Sequence, residues 1–265
     1  MANDTRKTRA SKGLRPGRSW LGPASILVGL LLWWLAARTA GLPAFILPSP
    51  GAVWMRFLSA AADGSLLLHT GVTLLEVLLG LLFGVGLATL LGYLVAKSQT
   101  LERALSPYLV ASQAVPLVAI APLLVIWFGP GMFSKVLICA LIVFFPVLVN
   151  TVVGVRAVPR PLYDLMGSLH ATRRQVLFKL EVPAALPVFL GGLRIGATLS
   201  VIGAVVGELV GSDQGLGFLI NVGRGQYDTA LVFVAVFVLV ALALCLYGAV
   251  AWLEARALSW QRAPE

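Results

Sequence analysis

Residues that could perform catalysis are few in this 265-residue chain, and their spacing fits no known catalytic motif. The chain has two histidines and two cysteines: His69, His170, Cys139 and Cys245. The histidines form no His-Glu-x-x-His motif, and the cysteines lie in apolar runs without metal-ligand spacing. A phosphate-binding loop is also missing, because Ala96 precedes Lys97-Ser98 where that motif requires glycine. We therefore expect no catalytic residue, no metal ion and no cofactor in this chain.

Two acidic residues, Glu76 and Glu208, lie inside long apolar stretches. An ionised carboxylate in hydrocarbon costs several kcal/mol unless it faces a cavity or a partner. Glu208 stands between Gly207 and Gly211, where small neighbours would leave a wet crevice. It either lines or gates a translocation pathway, or it is an interface acid that is hydrated or paired to Arg224. For Glu76 we favour a structural role.

Three further polar or helix-bending residues are pathway candidates: Gln113, Pro116 and Asn150. The same residues would serve equally well to hold helices together in a membrane. Arg194 also lies in an apolar stretch, close enough to one end for its long side chain to reach the membrane interface. We expect Arg194 to act as an anchor.

The composition identifies a polytopic membrane protein. Hydrophobic residues make up 59% of the chain and charged residues 12%, against about 25% charged in soluble proteins. The net charge of +9 lies mainly in loops and tails, which argues against nucleic-acid binding.

Apolar runs long enough to cross about 30 Å of hydrocarbon predict six spans. They are residues 21–40, 69–96, 105–128, 133–155, 186–210 and 229–253. The other segments are a basic tail (1–20), external loops (41–68 and 211–228), a central loop (156–185) and a second tail (254–265). Pro116 and Pro122 predict an irregular third span. The first run is longer than the apolar region of a cleaved signal peptide, which is the alternative interpretation of residues 21–40.

Basic residues predict the orientation of these spans. Fifteen Lys and Arg residues lie in the two tails, the second-to-third turn and the central loop. The opposite side carries four: Arg38, Arg56, Lys135 and Arg224. Since cytoplasmic loops are enriched in basic residues, both termini and the central loop should be cytosolic, in a multi-pass plasma (inner) membrane protein.

The central loop has the pattern of two short helices. The first would run from Arg160 to Leu169 and bury three apolar residues at helical spacing: Leu162, Met166 and Leu169. The second would start at Thr172, which forms a capping-box pair with Gln175, and would stop at Pro183. The break would fall at His170 and Ala171. Such a helix-turn-helix is typical of a docking element, the alternative being an ordinary cytoplasmic loop.

The same loop resembles the signature of ATP-binding cassette (ABC) importer permeases, which reads Glu-Ala-Ala, three residues, Gly, nine residues, Ile, one residue, Leu-Pro. Asp164-Leu165-Met166 stands at Glu-Ala-Ala, His170 at the glycine and Leu180-Glu181-Val182-Pro183 at the end of the pattern. Asp164 keeps the acidic charge on a shorter side chain. His170 replaces a residue expected in a left-handed turn, which histidine tolerates better than most residues. The downstream Gly192-Leu193-Arg194 and Gly215-Leu216-Gly217 also look like this family.

The resemblance implies an all-α, type I ABC importer permease fold with six transmembrane helices, whose permease domain covers about 69–253. It implies no catalysis in this chain, and it implies as partners a second permease copy, a cytosolic ATPase dimer, an extracytoplasmic solute-binding protein and membrane lipid. The residues implied to couple to the ATPase are Asp164, Leu165, Met166, Leu169, His170, Thr172, Arg173, Arg174, Gln175 and Pro183. Arg173 and Arg174 are explained either by the positive-inside bias or by an acidic rim on that partner.

Substrate expectations also follow from resemblance. The chain looks most like the nitrate, sulfonate and taurine group of these permeases. Its stretch from Leu199 to Glu208 is more similar to permeases for riboflavin or the hydroxymethylpyrimidine precursor of thiamine. We rank these vitamins first and sulfonate, taurine or nitrate second. The alternatives from other classes are a self-sufficient secondary transporter or channel, and a membrane-embedded enzyme.

Overall fold

The computed structural model describes residues 21–114 and 116–261, and these residues form helices and connecting turns without a β-strand. The helices are α1 (Leu21–Thr39), α2 (Pro50–Ala62), α3 (Ser65–Lys97), α4 (Gln99–Ala114), α5 (Leu117–Phe128), α6 (Met132–Arg156), α7 (Arg160–Ser168), α8 (Arg173–Val176), α9 (Val182–Gly211), α10 (Leu216–Gly225) and α11 (Thr229–Ala257). A π-helix, Leu177–Glu181, joins α8 to α9, and a 3-10 turn follows α11. The predicted basic tail, 1–20, and residues 262–265 lie outside the described residues.

Four helices are long and apolar enough to cross a membrane: α3, α6, the continuous helix Arg173–Gly211, and α11. The apolar helices α1 and α5 are shorter. The third predicted span is irregular because Pro116 interrupts it between α4 and α5, where Pro116 has extended backbone angles. Pro122 lies inside α5 without ending it.

The prediction that a helix stops at Pro183 is wrong. The helix continues through Pro183 into α9, so the fifth span and the second helix of the central loop form one helical stretch. The π-helix just before Pro183 explains this continuity, because Val182 N–H bonds to Leu177 O, five residues back. This wider turn accommodates a residue that lacks an N–H.

Segments expected to be loops contain more helix than the sequence pattern indicated. The predicted external loop at 41–68 includes α2, whose first turn is capped by Ser49, and α3 begins already at Ser65. The predicted turn at Lys97 to Arg103 shortens to the residue Ser98, whose hydroxyl accepts a hydrogen bond from Leu101 N–H at 3.2 Å. A side-chain cap of this kind lets a new helix begin one residue after the preceding helix has ended.

The helices α3, α6 and α9 form the centre of the bundle and approach one another closely at small residues. A Cβ added at Gly80 would lie 2.2 Å from Cys139 Cβ, and one added at Gly203 would lie 2.9 Å from Cys139 Cα. Outside this centre, Trp33 of α1 stacks on Phe233 of α11 with ring centres 5.3 Å apart. Small residues therefore set the spacing of the central helices, as in other membrane bundles.

We expect Gly84→Ala to destabilise the bundle, because its Cβ would lie 2.7 Å from the carbonyl oxygen of Ala140. Overpacking of this kind costs about 1–3 kcal/mol. The measurement is the apparent Tm of the detergent-purified protein. The matched control is Gly86→Ala on the same helix, where nothing lies within 4 Å of the added Cβ. Equal Tm values for the two variants would contradict the close α3–α6 contact.

Candidate functional site: the central loop and the buried charges

The first helix of the central loop, α7, ends in a turn that places His170 in the left-handed region at φ 53°. His170 N–H bonds to Gly167 O at 2.9 Å, and Ala171 N–H bonds to Met166 O at 3.0 Å, which satisfies the carbonyls at the helix end. The left-handed conformation expected at this position is therefore present, with histidine in place of glycine.

A capping box begins the second helix. Thr172 N–H donates to Gln175 Oε1 at 2.8 Å, while Gln175 N–H donates to Thr172 Oγ1 at 3.3 Å. This confirms the helix start predicted from the spacing of the two residues. The capped turn holds α7 and α8 at a defined angle outside the apolar spans.

The apolar face of α7 is not buried by the rest of the chain. Leu162, Met166 and Leu169 were expected to be buried, yet Leu162 is 40% exposed, Leu169 is 67% exposed and Met166 is half-buried. The described chain covers them only in part, and none of the α7 residues is fully buried. Leu165 and Phe178 are further exposed apolar residues of the central loop. Such a surface outside the spans is typical of a protein–protein contact.

The charged members of the predicted coupling set are all exposed: Asp164, Arg173 and Arg174. The guanidinium of Arg174 lies 5.8 Å from the centre of the Phe178 ring. Pro183 is different from the rest of the set, because it lies at the start of α9 and shapes the π-helical connection.

Glu208 does not face a wet crevice, and no ion pair with Arg224 is present among the described residues. Its side chain is fully buried, accepting hydrogen bonds from Thr73 Oγ1 and from Gly217 N–H, each at 2.6 Å. Gly215, at φ 107°, packs so closely that an added Cβ would lie 2.1 Å from Glu208 Oε1. In this conformation Glu208 therefore ties the start of α10 to α3.

Glu76 is also fully buried, and Lys135 of α6 is its ionic partner. The carboxylate Oε1 lies 3.0 Å from Lys135 Nζ, and neither oxygen has a hydrogen bond in the described part of the chain. Lys135 donates its hydrogen bond to Ser212 Oγ at 2.6 Å. The structural role favoured for Glu76 thus fits a contact that joins α3, α6 and the end of α9.

The remaining pathway candidates are distributed along the bundle. Asn150 donates to Pro146 O at 2.8 Å within its own helix, and it packs against Gly192 of α9, so it lies at a helix–helix contact. Pro116 forms the break before α5, and the side chain of Gln113 lies outside the described residues. Arg194 pairs with Glu254 of α11 and so joins two helices.

Several residues of these contacts were missed in the sequence analysis. His69 Nδ1 accepts a hydrogen bond from Gly215 N–H at 3.0 Å, and Thr73 Oγ1 accepts one from Leu216 N–H at 2.8 Å. At the other end of α9, Glu181 is buried beside Lys97. An acid at one span boundary and a lysine at another were visible in the sequence, but nothing in their spacing indicated that they pair.

Long apolar helices, buried charge contacts between them and an exposed helix-turn-helix define the class as a polytopic membrane protein. Residues 80–259 match the model of the family described as binding-protein-dependent transport system inner membrane component, and the chain belongs to this family. It is therefore the permease subunit of an ABC importer, a transport component that is not a catalytic enzyme.

Several curated relatives align over almost their full length. The chain is 46% identical to the riboflavin transport system permease protein of Chloroflexus aurantiacus, covering 90% of this chain and 89% of that protein. It is 38% identical to the formylaminopyrimidine transport permease protein of Halalkalibacterium halodurans, covering 89% and 94%. It is 32% identical to the putative aliphatic sulfonates transport permease protein of Bacillus subtilis, covering 95% and 92%.

The fold is similar to a solved structure of the MetNI methionine ABC transporter in an inward-facing conformation. The TM-score is 0.62 at 18% identity, and the match covers 71% of this chain and 94% of that one. The importer permease fold expected from the central loop is thus confirmed.

Replacing Lys135 should test the buried ion pair. Lys135→Met leaves Glu76 as an uncompensated buried charge, and breaking a buried pair in this way costs about 3–5 kcal/mol. We expect a large drop in apparent Tm for Lys135→Met. The double variant Lys135→Met/Glu76→Gln, which removes both charges, should recover most of that drop. If the double variant is less stable than Lys135→Met alone, the two residues do not compensate each other.

Proposed function

We propose that this permease moves riboflavin, or a pyrimidine precursor of thiamine, across the plasma membrane. The relatives named for riboflavin and for formylaminopyrimidine, at 46% and 38% identity, support this ranking above the sulfonate and taurine relatives at 32% and 33%. Substrate choice in such an importer also depends on the binding protein, which is a separate chain.

The pairing of cations along the spans is the structural observation that carries the proposal. Lys135 has Glu76 as its partner, and Arg194 has Glu254. Within the described spans, these two cations are thus already compensated by carboxylates, which leaves them unsuited to stabilise a sulfonate or nitrate during crossing. A neutral heteroaromatic solute needs no such cation.

A sulfonate, taurine or nitrate substrate is the second candidate. The specific observation in its favour is the identity of about a third to permeases named for aliphatic sulfonates and taurine over most of their length. Backbone dipoles and water would have to replace the missing cations in that case. A self-sufficient secondary transporter or channel fits less well, because the family is defined by dependence on a binding protein.

The coupling function belongs to the exposed loop. In our proposal, the central loop docks on a cytosolic ATPase dimer through Leu165 of α7, Leu169 directly after it and Phe178 of the π-helix, which are 54%, 67% and 58% exposed. Asp164, His170, Arg173 and Arg174 provide polar contacts around this apolar surface. A second permease copy and an extracytoplasmic binding protein complete the importer, and both termini lie in the cytosol.

Leu169→Glu should abolish docking, because a charge would replace an apolar contact at the centre of the loop surface. An interface hot spot is worth about 2 kcal/mol, so recovery of the cognate ATPase with tagged permease should fall at least about tenfold. The measurement is copurification from solubilised membranes. Leu169→Met, which keeps the apolar volume, is the matched control. Normal recovery of the ATPase with Leu169→Glu would contradict the docking assignment.

The substrate ranking is best tested on the partner binding protein by a thermal-shift ligand screen. A ligand stabilises its receptor by RT ln(1 + [L]/Kd), which is about 2.7 kcal/mol at a hundredfold excess over Kd. We expect riboflavin or hydroxymethylpyrimidine to raise the Tm. A shift with taurine or alkanesulfonates, and none with either vitamin compound, would reverse the ranking and leave the permease assignment unchanged.

A further inference from the structure

A buried carboxylate joins the central loop to the end of α3. Glu181 lies in the π-helix before α9 and is 1% exposed. One carboxylate oxygen pairs with the ammonium of Lys97, and the other accepts a hydrogen bond from Tyr93 OH at 3.0 Å. A carboxylate held this way depends on both partners, because a buried charge without a partner is strongly unfavourable.

The helix α7 contacts the same group of residues through Tyr163. Lys97 Nζ lies 5.3 Å from the centre of the Tyr163 ring, within the range of a cation–π contact. Tyr163 is one of the half-buried residues of α7, most of which is exposed. Burial and the negative charge of Glu181 raise the pKa of Tyr163 to about 12, so the ring stays neutral beside the two charges.

These residues have room to rearrange. They border a cavity of about 410 Å³, lined in part by Tyr93, Tyr163, Arg173 and Glu181. Glu181 also ends a π-helix, and single π turns occur frequently at functional sites of helices. A cavity beside an irregular turn allows the loop to move relative to α3 without first breaking a packed core.

We propose that Glu181, Lys97 and Tyr163 are positioning residues that transmit the displacement of α7 to α3 and α9. The inference rests on the proposed docking of the loop on an ATPase. A displacement of α7 reaches α3 through the Tyr163–Lys97 contact. It reaches α9 through Glu181, because the π-helix and α9 are parts of one continuous helical stretch.

The test uses the full importer complex in proteoliposomes with a reporter that needs no transported substrate. Cys245, the exposed cysteine, is replaced by serine, and Val210→Cys places a reporter near the opposite end of α9. The rate of maleimide labelling is measured with and without ATP and vanadate. In the parent protein, nucleotide should change this rate, because closure of the ATPases moves α9.

Glu181→Gln removes the charge with little change of shape, and Tyr163→Leu removes the aromatic ring. Each should reduce the nucleotide-dependent change in labelling about tenfold, within the usual range of coupling between sites, while the ATPase still copurifies. Tyr163→Phe, the matched control, keeps the ring and should respond like the parent protein.

If both Glu181→Gln and Tyr163→Leu respond to nucleotide like the parent protein, the proposal is overturned. It is also overturned if nucleotide does not change the labelling rate of the parent protein. If Glu181→Gln fails to assemble, the labelling rates of Tyr163→Leu and Tyr163→Phe test the proposal instead. Tyr163 lies on a mostly exposed helix, so these two variants should still assemble. Failure of the docking proposal is distinguishable, because it appears as normal ATPase recovery with Leu169→Glu.

Discussion

The burial of carboxyl groups at helix contacts constrains the arrangement of this permease. Among the described residues, the buried acids are Glu76, Glu181 and Glu208. Each costs several kcal/mol in hydrocarbon unless partners compensate it, and in each case the partner belongs to another helix or loop. Lys135 compensates Glu76, Lys97 compensates Glu181, and Thr73 with Gly217 N–H compensates Glu208. Separating the helices would expose an uncompensated charge, so these contacts limit how the helices can move.

The position of the acids makes α3 and α9 a connected pair. Glu181 joins the start of α9 to the C-terminal end of α3, and Glu208 joins the other end of α9 to Thr73 of α3. Between these ends, glycines allow α6 to approach both helices at backbone distance, as at Gly84 and Gly203. This arrangement suits a subunit that must respond to a partner on one side of the membrane.

The central loop differs from the bundle because several of its apolar side chains are not covered by other helices. Its turns are well determined by the left-handed His170 and the Thr172–Gln175 capping box, yet the apolar side chains Leu165 and Leu169 remain uncovered. A rigid backbone that presents exposed apolar side chains loses little conformational entropy on binding, which favours tight docking. The described chain therefore places partners from other helices beside its buried carboxylates and leaves apolar side chains of the central loop uncovered.

The sequence by itself determined the features that depend on local pattern: the apolar runs, the irregular third span, the capping box and the helix break at His170 and Ala171. Each depends on residues within one or two helical turns of each other, so spacing alone reveals it. The partners of the buried charges could not be predicted in this way, because Lys97 and Glu181, or Thr73 and Glu208, are brought together only by the packing of α3 against α9. For the same reason the predicted burial of Leu162 and Leu169 and the predicted stop at Pro183 were wrong. Glu208 bonds to Thr73 and Gly217 and not to Arg224, which was one of the alternatives for this acid. Tertiary packing decided which charges meet and which apolar faces stay uncovered, because these outcomes depend on distances between helices that are remote in sequence.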